Sequence, residues 1–132
     1  MKAKYLKEKV PKEKKYINQQ TMGFMYGELE LNANSIYNIY GIIKMKNNTI
    51  YVLYENNFAC FSDAKNFLVI DSTLFHPMYF GHHISQNDVI FVYGSNRMAT
   101  DIDYLLRLYI NEKEAVSEFS EYVDSLSLHL SS

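Results

Sequence analysis

Two asparagine pairs, Asn47-Asn48 and Asn56-Asn57, punctuate a run of short apolar segments in the middle of the chain and constrain it to fold as hairpins. Asn tolerates the positive φ angles that tight turns demand, so each pair predicts a reversal of direction. The segments between the reversals have strand chemistry. From Ser35 to Met45, Tyr37, Ile39, Gly41, Ile43 and Met45 share one face of an extended chain, because side chains in a strand alternate with period two. Thr49 to Glu55 is rich in the β-branched and aromatic residues that suit a pleated surface. Phe58 to Ser62 and Phe67 to Asp71 predict two more short strands, separated by the polar step from Asp63 to Asn66. The pattern is that of a meander.

The pattern then weakens. Asp71 to Asn87 holds His76-Pro77, Gly81 and His82-His83 with no clean period and reads as a structured crossing loop. Asp88 to Tyr93 is apolar between Asn87 and Gly94, as expected of a further strand. Thr100 is a good N-cap with Asp103 placed to answer it, and Asp101 and Asp103 suit the positive end of a helix dipole. Beyond it, Ile102, Leu105, Leu106, Tyr109, Val116, Phe119, Val123 and Leu126 recur at helical spacing, with a step at Asn111 that can break the helix in two. At the other end, Ala3, Tyr5 and Val10 are scattered among lysines and mark a less regular first strand.

Length and composition bound the rest. A chain of 132 residues suits one domain, and its 48% apolar and 21% charged residues are those of a folded globular protein. No stretch approaches the roughly 18 uninterrupted apolar residues of a membrane span, and no signal-peptide core follows the lysine-rich start, so a cytoplasmic location is expected. One cysteine, Cys60, cannot form an internal disulfide; between Phe58 and Phe61 it reads as a small buried thiol. The net charge of −2 hides an asymmetry: residues Met1 to Lys15 carry +5 and the remainder −7.

Part of the chain resembles a known group. Met1-Lys2-Ala3-Lys4-Tyr5-Leu6, the run from Leu29 to Ile42 and the segment Phe67-Leu68-Val69-Ile70-Asp71 are similar to a family of small, uncharacterised bacterial proteins with SH3-like barrels, some of them immunity-protein-like. The likeness covers roughly the first half of the chain, with a weaker echo in Met78-Tyr79-Phe80-Gly81. Asn34-Ser35 stands where that family has Gly-Lys, and Phe61-Ser62 where it has an aromatic residue before Pro. The resemblance implies an α+β fold in a single domain of residues 1–132: an antiparallel SH3-like β-barrel or strongly bent sheet over 1–95, followed by a C-terminal helix over 100–127, broken near Asn111. It supplies no catalytic residue.

The residues themselves also point away from catalysis. His82 and His83 are adjacent, so on a strand they point to opposite sides and do not converge on one ion; with a single cysteine no structural zinc knuckle can form, so His76, His82, His83 and His129 read as surface or loop histidines and no metal site is expected. No Gly-x-Ser-x-Gly elbow prepares a nucleophile, and burial would raise the Cys60 thiol pKa and blunt its reactivity. The five glycines, Gly23, Gly27, Gly41, Gly81 and Gly94, are too dispersed to cradle a phosphate. The expectation is a protein that is not an enzyme and carries no cofactor.

Two surfaces remain. The basic start, interleaved with Tyr5 and Tyr16, could displace counterions and stack on bases, but the −7 of the remainder repels a polyanion. An SH3-like nucleic-acid-binding or regulatory module of a mobile element is therefore the alternative. The leading expectation rests on the acidic C-terminal helix, where Glu114, Glu118 and Glu121 fall opposite the apolar stripe. With Asp124, and Tyr122 as aromatic anchor, they form a partner-binding set suited to the basic active site of a toxin domain such as a nuclease. That is the profile of an immunity protein.

Overall fold

The computed structural model describes residues 1–6, 31–55, 57–73, 77–85 and 88–131. Their fold is α+β, with two antiparallel sheets followed by helices. The strands are β1 (Lys2–Tyr5), β2 (Ile36–Asn38), β3 (Gly41–Lys44), β4 (Thr49–Glu55), β5 (Phe58–Asp63), β6 (Phe67–Asp71), β7 (Tyr79–Ser85) and β8 (Asp88–Gly94). The helices are α1 (Asn96–Thr100), α2 (Ile102–Tyr109) and α3 (Lys113–Ser131). A small sheet has the order β2-β1-β6 and a larger one β5-β4-β3-β8-β7. Among the described residues, no hydrogen-bonded ladder joins the two sheets or closes either into a ring.

The larger sheet is the middle layer. β4 shows why: Ile50 and Val52 face the helices, while Tyr51 and Leu53, one residue out of phase, face the small sheet, and all four are buried. A strand buried on both faces needs apolar side chains at nearly every position, as Thr49–Glu55 has. β5 repeats the arrangement, with Ala59 and Phe61 toward the helices and Cys60 toward the small sheet. Cys60 is fully buried, as its flanking phenylalanines predict.

Two cores result. Between the sheets, Phe67 of β6 tilts against Tyr5 of β1 at 5.2 Å and against Tyr51 of β4 at 5.5 Å. On the helical side, Phe119 of α3 is fully buried and meets the rings of Tyr40 at 5.9 Å and Tyr54 at 5.7 Å, both edge-to-face. Phe61 meets Tyr109 of α2 in the same way at 4.8 Å. This geometry aligns the electropositive ring edge with the electronegative face.

Several local expectations change. Ser35–Met45 is not one strand: the chain leaves the small sheet after Asn38 and enters the larger sheet at Gly41. Tyr37 and Ile39 therefore face the inter-sheet core, whereas Ile43 and Met45, of the same parity, face the helical one. The reversal at Asn47-Asn48 is a four-residue loop closed by Met45 N–H donating to the Asn48 carbonyl at 2.9 Å, and it uses no left-handed residue. Asn57 does adopt the left-handed conformation, with φ 65°, as do Asn34 and Asn111; Asn56 lies outside the described residues.

Tyr79–Ser85, expected within a crossing loop, is a seven-residue strand at the edge of the larger sheet, paired with β8 from Tyr79↔Gly94 to Ser85↔Asp88. The helical region also starts earlier. Ser95, not Thr100, caps the first helix by accepting from Met98 N–H at 3.2 Å, and Asp101 caps α2 by accepting from Tyr104 N–H at 3.2 Å. Met98 is fully buried, and Cβ atoms on Gly41 and Gly94 would crowd its sulfur at 3.1 and 2.9 Å, so the two glycines form its seat.

The break near Asn111 has a definite mechanism. Asn111, at φ 57°, lets its own N–H donate to Leu108 O at 2.9 Å and the N–H of Glu112 donate to Arg107 O at 2.9 Å. These two bonds terminate a helix through one left-handed residue. The Asn111 side-chain oxygen then accepts from Ala59 N–H at 3.2 Å and ties the turn to β5.

Candidate functional site

Helix α3 lies against the larger sheet through Ala115, Phe119 and Val123, all buried, with Val116 and Leu126 packed at the margins. With about 100° of turn per residue, Glu114 and Glu121 then fall on the outermost stripe, and both are exposed, as is Asp124. Glu118 and Tyr122 sit on the flank that faces α1.

The chain has two arginines, Arg97 and Arg107, and each is held by two carboxylates. Arg97 donates through Nη1 to Asp101 at 2.8 Å and through Nε to Glu118 at 2.9 Å, joining α1 to α3. Its guanidinium carbon also lies 5.1 Å from the centre of the Tyr104 ring, a cation–π contact. Arg107 binds Asp103 at 3.0 Å and Glu112 at 3.1 Å. Among the described residues, no cation comes within ion-pair distance of Glu114, Glu121 or Asp124. Among the described residues, the outer face of α3 thus presents three carboxylates without an ion-pair partner, beside the exposed Lys113.

The predicted set divides accordingly. Among the described residues Glu114, Glu121 and Asp124 have no ion-pair partner, Glu118 is committed to Arg97, and Tyr122 is half-buried with its ring stacked near Phe119 at 6.5 Å. Burial, with a smaller contribution from nearby Tyr40, pushes the Tyr122 phenol up to about 12. Burial also raises the Tyr104 phenol, and the Glu118 carboxylate adds to the shift.

A groove borders the stripe on each side. One, of about 320 Å³, is walled by Pro77, Tyr79, Arg97, Tyr104, Glu118 and Tyr122. The other, of about 450 Å³, is lined by residues that include Phe58, Asn111, Lys113, Val116, Ser120 and Glu121. Tyr79 and Phe58 are each about half exposed, at 50% and 51%, and supply aromatic surface that sequence reasoning did not single out. Only the pairing of strands and helices brings Phe58 of β5 beside α3. Tyr54 holds that junction, with its hydroxyl 2.8 Å from Ser120 Oγ and 3.1 Å from Asn57 Oδ1.

The other candidates lie elsewhere. His82 and His83 project from opposite faces of β7: His83 Nε2 donates to the Ala99 carbonyl at 3.1 Å, while His82 lies 6.4 Å from the Phe91 ring. His76 and the side chain of His129 lie outside the described residues. Among the described residues, no three His, Cys, Asp or Glu side chains converge as metal ligands, and no helix is long and apolar enough to cross a membrane. Of the basic start, Lys2 and Lys4 lie on β1, where Ala3 and Tyr5 point inward; residues 7–15 and Tyr16 lie outside the described residues. Comparison of the chain with protein-family models, with curated proteins and with solved structures finds no match.

Proposed function

We propose that this is a non-catalytic protein-binding protein that uses the outer face of α3 to dock against a basic surface of a partner. The observation that carries this reading is the set of exposed carboxylates, Glu114, Glu121 and Asp124, that have no ion-pair partner among the described residues, on a helix anchored by Phe119. Exposed carboxylates on a rigid element attract a cationic partner at long range and raise its association rate. Affinity then needs desolvated anchors, and Phe58 and Tyr79 on the two bordering grooves suit that role better than the half-buried Tyr122.

Taken with the resemblance to SH3-like barrel proteins, the finer form of the proposal is an immunity protein. It would neutralise a toxin domain, a nuclease being the best charge match, by covering its cationic active site. The test is co-expression with the protein encoded immediately upstream, followed by calorimetry on the purified pair. A complex with Kd below about 1 μM is expected; absence of any complex that tight overturns the immunity reading.

A further inference from the structure

β7 forms one edge of the larger sheet, and among the described residues no strand pairs with its outer side. Edge strands are ordinarily protected from pairing by Lys, Pro, inward-facing charge, bulges or short length. β7 has none of these: Tyr-Phe-Gly-His-His-Ile-Ser runs for seven residues without Lys, Arg, Asp, Glu or Pro and pairs with β8 in continuous register. One face of it is apolar and open. The small sheet covers the β4 and β5 end of the larger sheet, leaving Phe80 at 55% and Ile84 at 76% exposure, with Phe91 of β8 stacked behind Phe80 at 5.9 Å.

We propose that β7 pairs with β7 of a second copy of this chain, antiparallel about a two-fold axis at His82, so that the two larger sheets become one continuous sheet. The strand is self-complementary in this register. Phe80 of each copy stands opposite Ile84 of the other on the open face, and His82 stands opposite its own equivalent. With no Lys, Arg, Asp or Glu on the strand, no permanently charged side chains are brought face to face.

The area suits a second copy. With a phenylalanine presenting about 150–250 Å² and an isoleucine somewhat less, the open fractions of Phe80 and Ile84 leave roughly 250 Å² per copy on this face. Two copies bring together roughly 500 Å² of side chain, and two backbone edges each about 24 Å long raise the total toward the roughly 1,000 Å² at which specific interfaces begin. The opposite face of β7 is closed to a partner by α1, whose Ala99 carbonyl backs directly onto Gly81.

Sedimentation velocity on the full chain at about 100 μM reads the proposal directly. The wild type is expected to sediment as a dimer of the 15.5 kDa chain, and Ile84→Lys, placed at an exposed position, to weaken association at least tenfold with an unchanged circular dichroism spectrum. His82→Cys is expected to form a covalent dimer under mild oxidation, since facing residues in an antiparallel pair have Cα atoms within disulfide reach. Ser117→Cys, on the exposed face of α3, is expected not to, and buried Cys60 does not compete. A monomeric wild type, a dimer indifferent to Ile84→Lys, or a dimer that His82→Cys fails to cross-link overturns the proposal.

Discussion

Replacing Phe119 by alanine isolates what holds α3 in place. The ring is fully buried and makes edge-to-face contacts with Tyr40 at 5.9 Å and Tyr54 at 5.7 Å, so truncation removes apolar burial and two oriented aromatic pairs together. Phe→Ala in a packed core costs about 3–5 kcal/mol, and two aromatic pairs of about 0.5–1.5 kcal/mol each place this site in the upper half of that range, near 4–5 kcal/mol. For a domain of this size, roughly 3–5 °C is lost per kcal/mol, so the melting temperature should fall by about 12–25 °C. Urea unfolding followed by far-ultraviolet circular dichroism measures it, with the midpoint shifting and the slope unchanged. Phe119→Leu keeps most of the volume and should lose less than about half as much. A loss below about 1.5 kcal/mol for the alanine variant would refute the claim that Phe119 fixes α3 to the larger sheet.

Other consequences concern the helix–sheet junction and the buried phenols. At Gly81 any Cβ would overlap the Ala99 carbonyl oxygen, so Gly81→Ala must displace α1 and should cost about 1–3 kcal/mol by thermal melting. Tyr40, Tyr51, Tyr104 and Tyr122 all have phenol pKa values raised by burial, Tyr122 to about 12. Their contribution to stability is fully present below the unfolded value near 10 and is lost as pH rises through the folded values. Denaturant midpoints should accordingly fall between about pH 10 and 12, and Tyr122→Phe should flatten that fall.

How much was legible depended on whether the signal was local. β4 and β5 could be read because burial on both faces forces nearly continuous apolar chemistry, and the break at Asn111 because a single left-handed residue closes the helix. β7 was not legible: Gly81 serves a close approach by α1, and Phe80, His82 and Ile84 face an open side, so the half-buried and exposed positions carry no matching alternation of apolar and polar residues. The start of the helices was ambiguous because Ser95, Thr100 and Asp101 are all good caps, and the choice follows from Met98 entering its seat between Gly41 and Gly94. At the site, the acidic stripe followed from helical spacing. Its division into carboxylates with and without an ion-pair partner among the described residues did not, because Arg97 and Glu118 are 21 positions apart and only packing of α1 against α3 pairs them.

The central claim is that the outer face of α3, with the aromatic residues on its borders, is the surface that meets a partner. Hydrogen exchange on the isolated protein and on its complex with the upstream-encoded protein tests this most directly. Amides of α3 around Glu114, Glu121 and Asp124, together with those near Phe58 and Tyr79, should gain protection in the complex, and the joint variant Glu114→Lys, Glu121→Lys and Asp124→Lys should abolish the gain while melting within a few degrees of wild type. Protection confined to the small sheet, with α3 exchanging as in the free protein, would contradict the account.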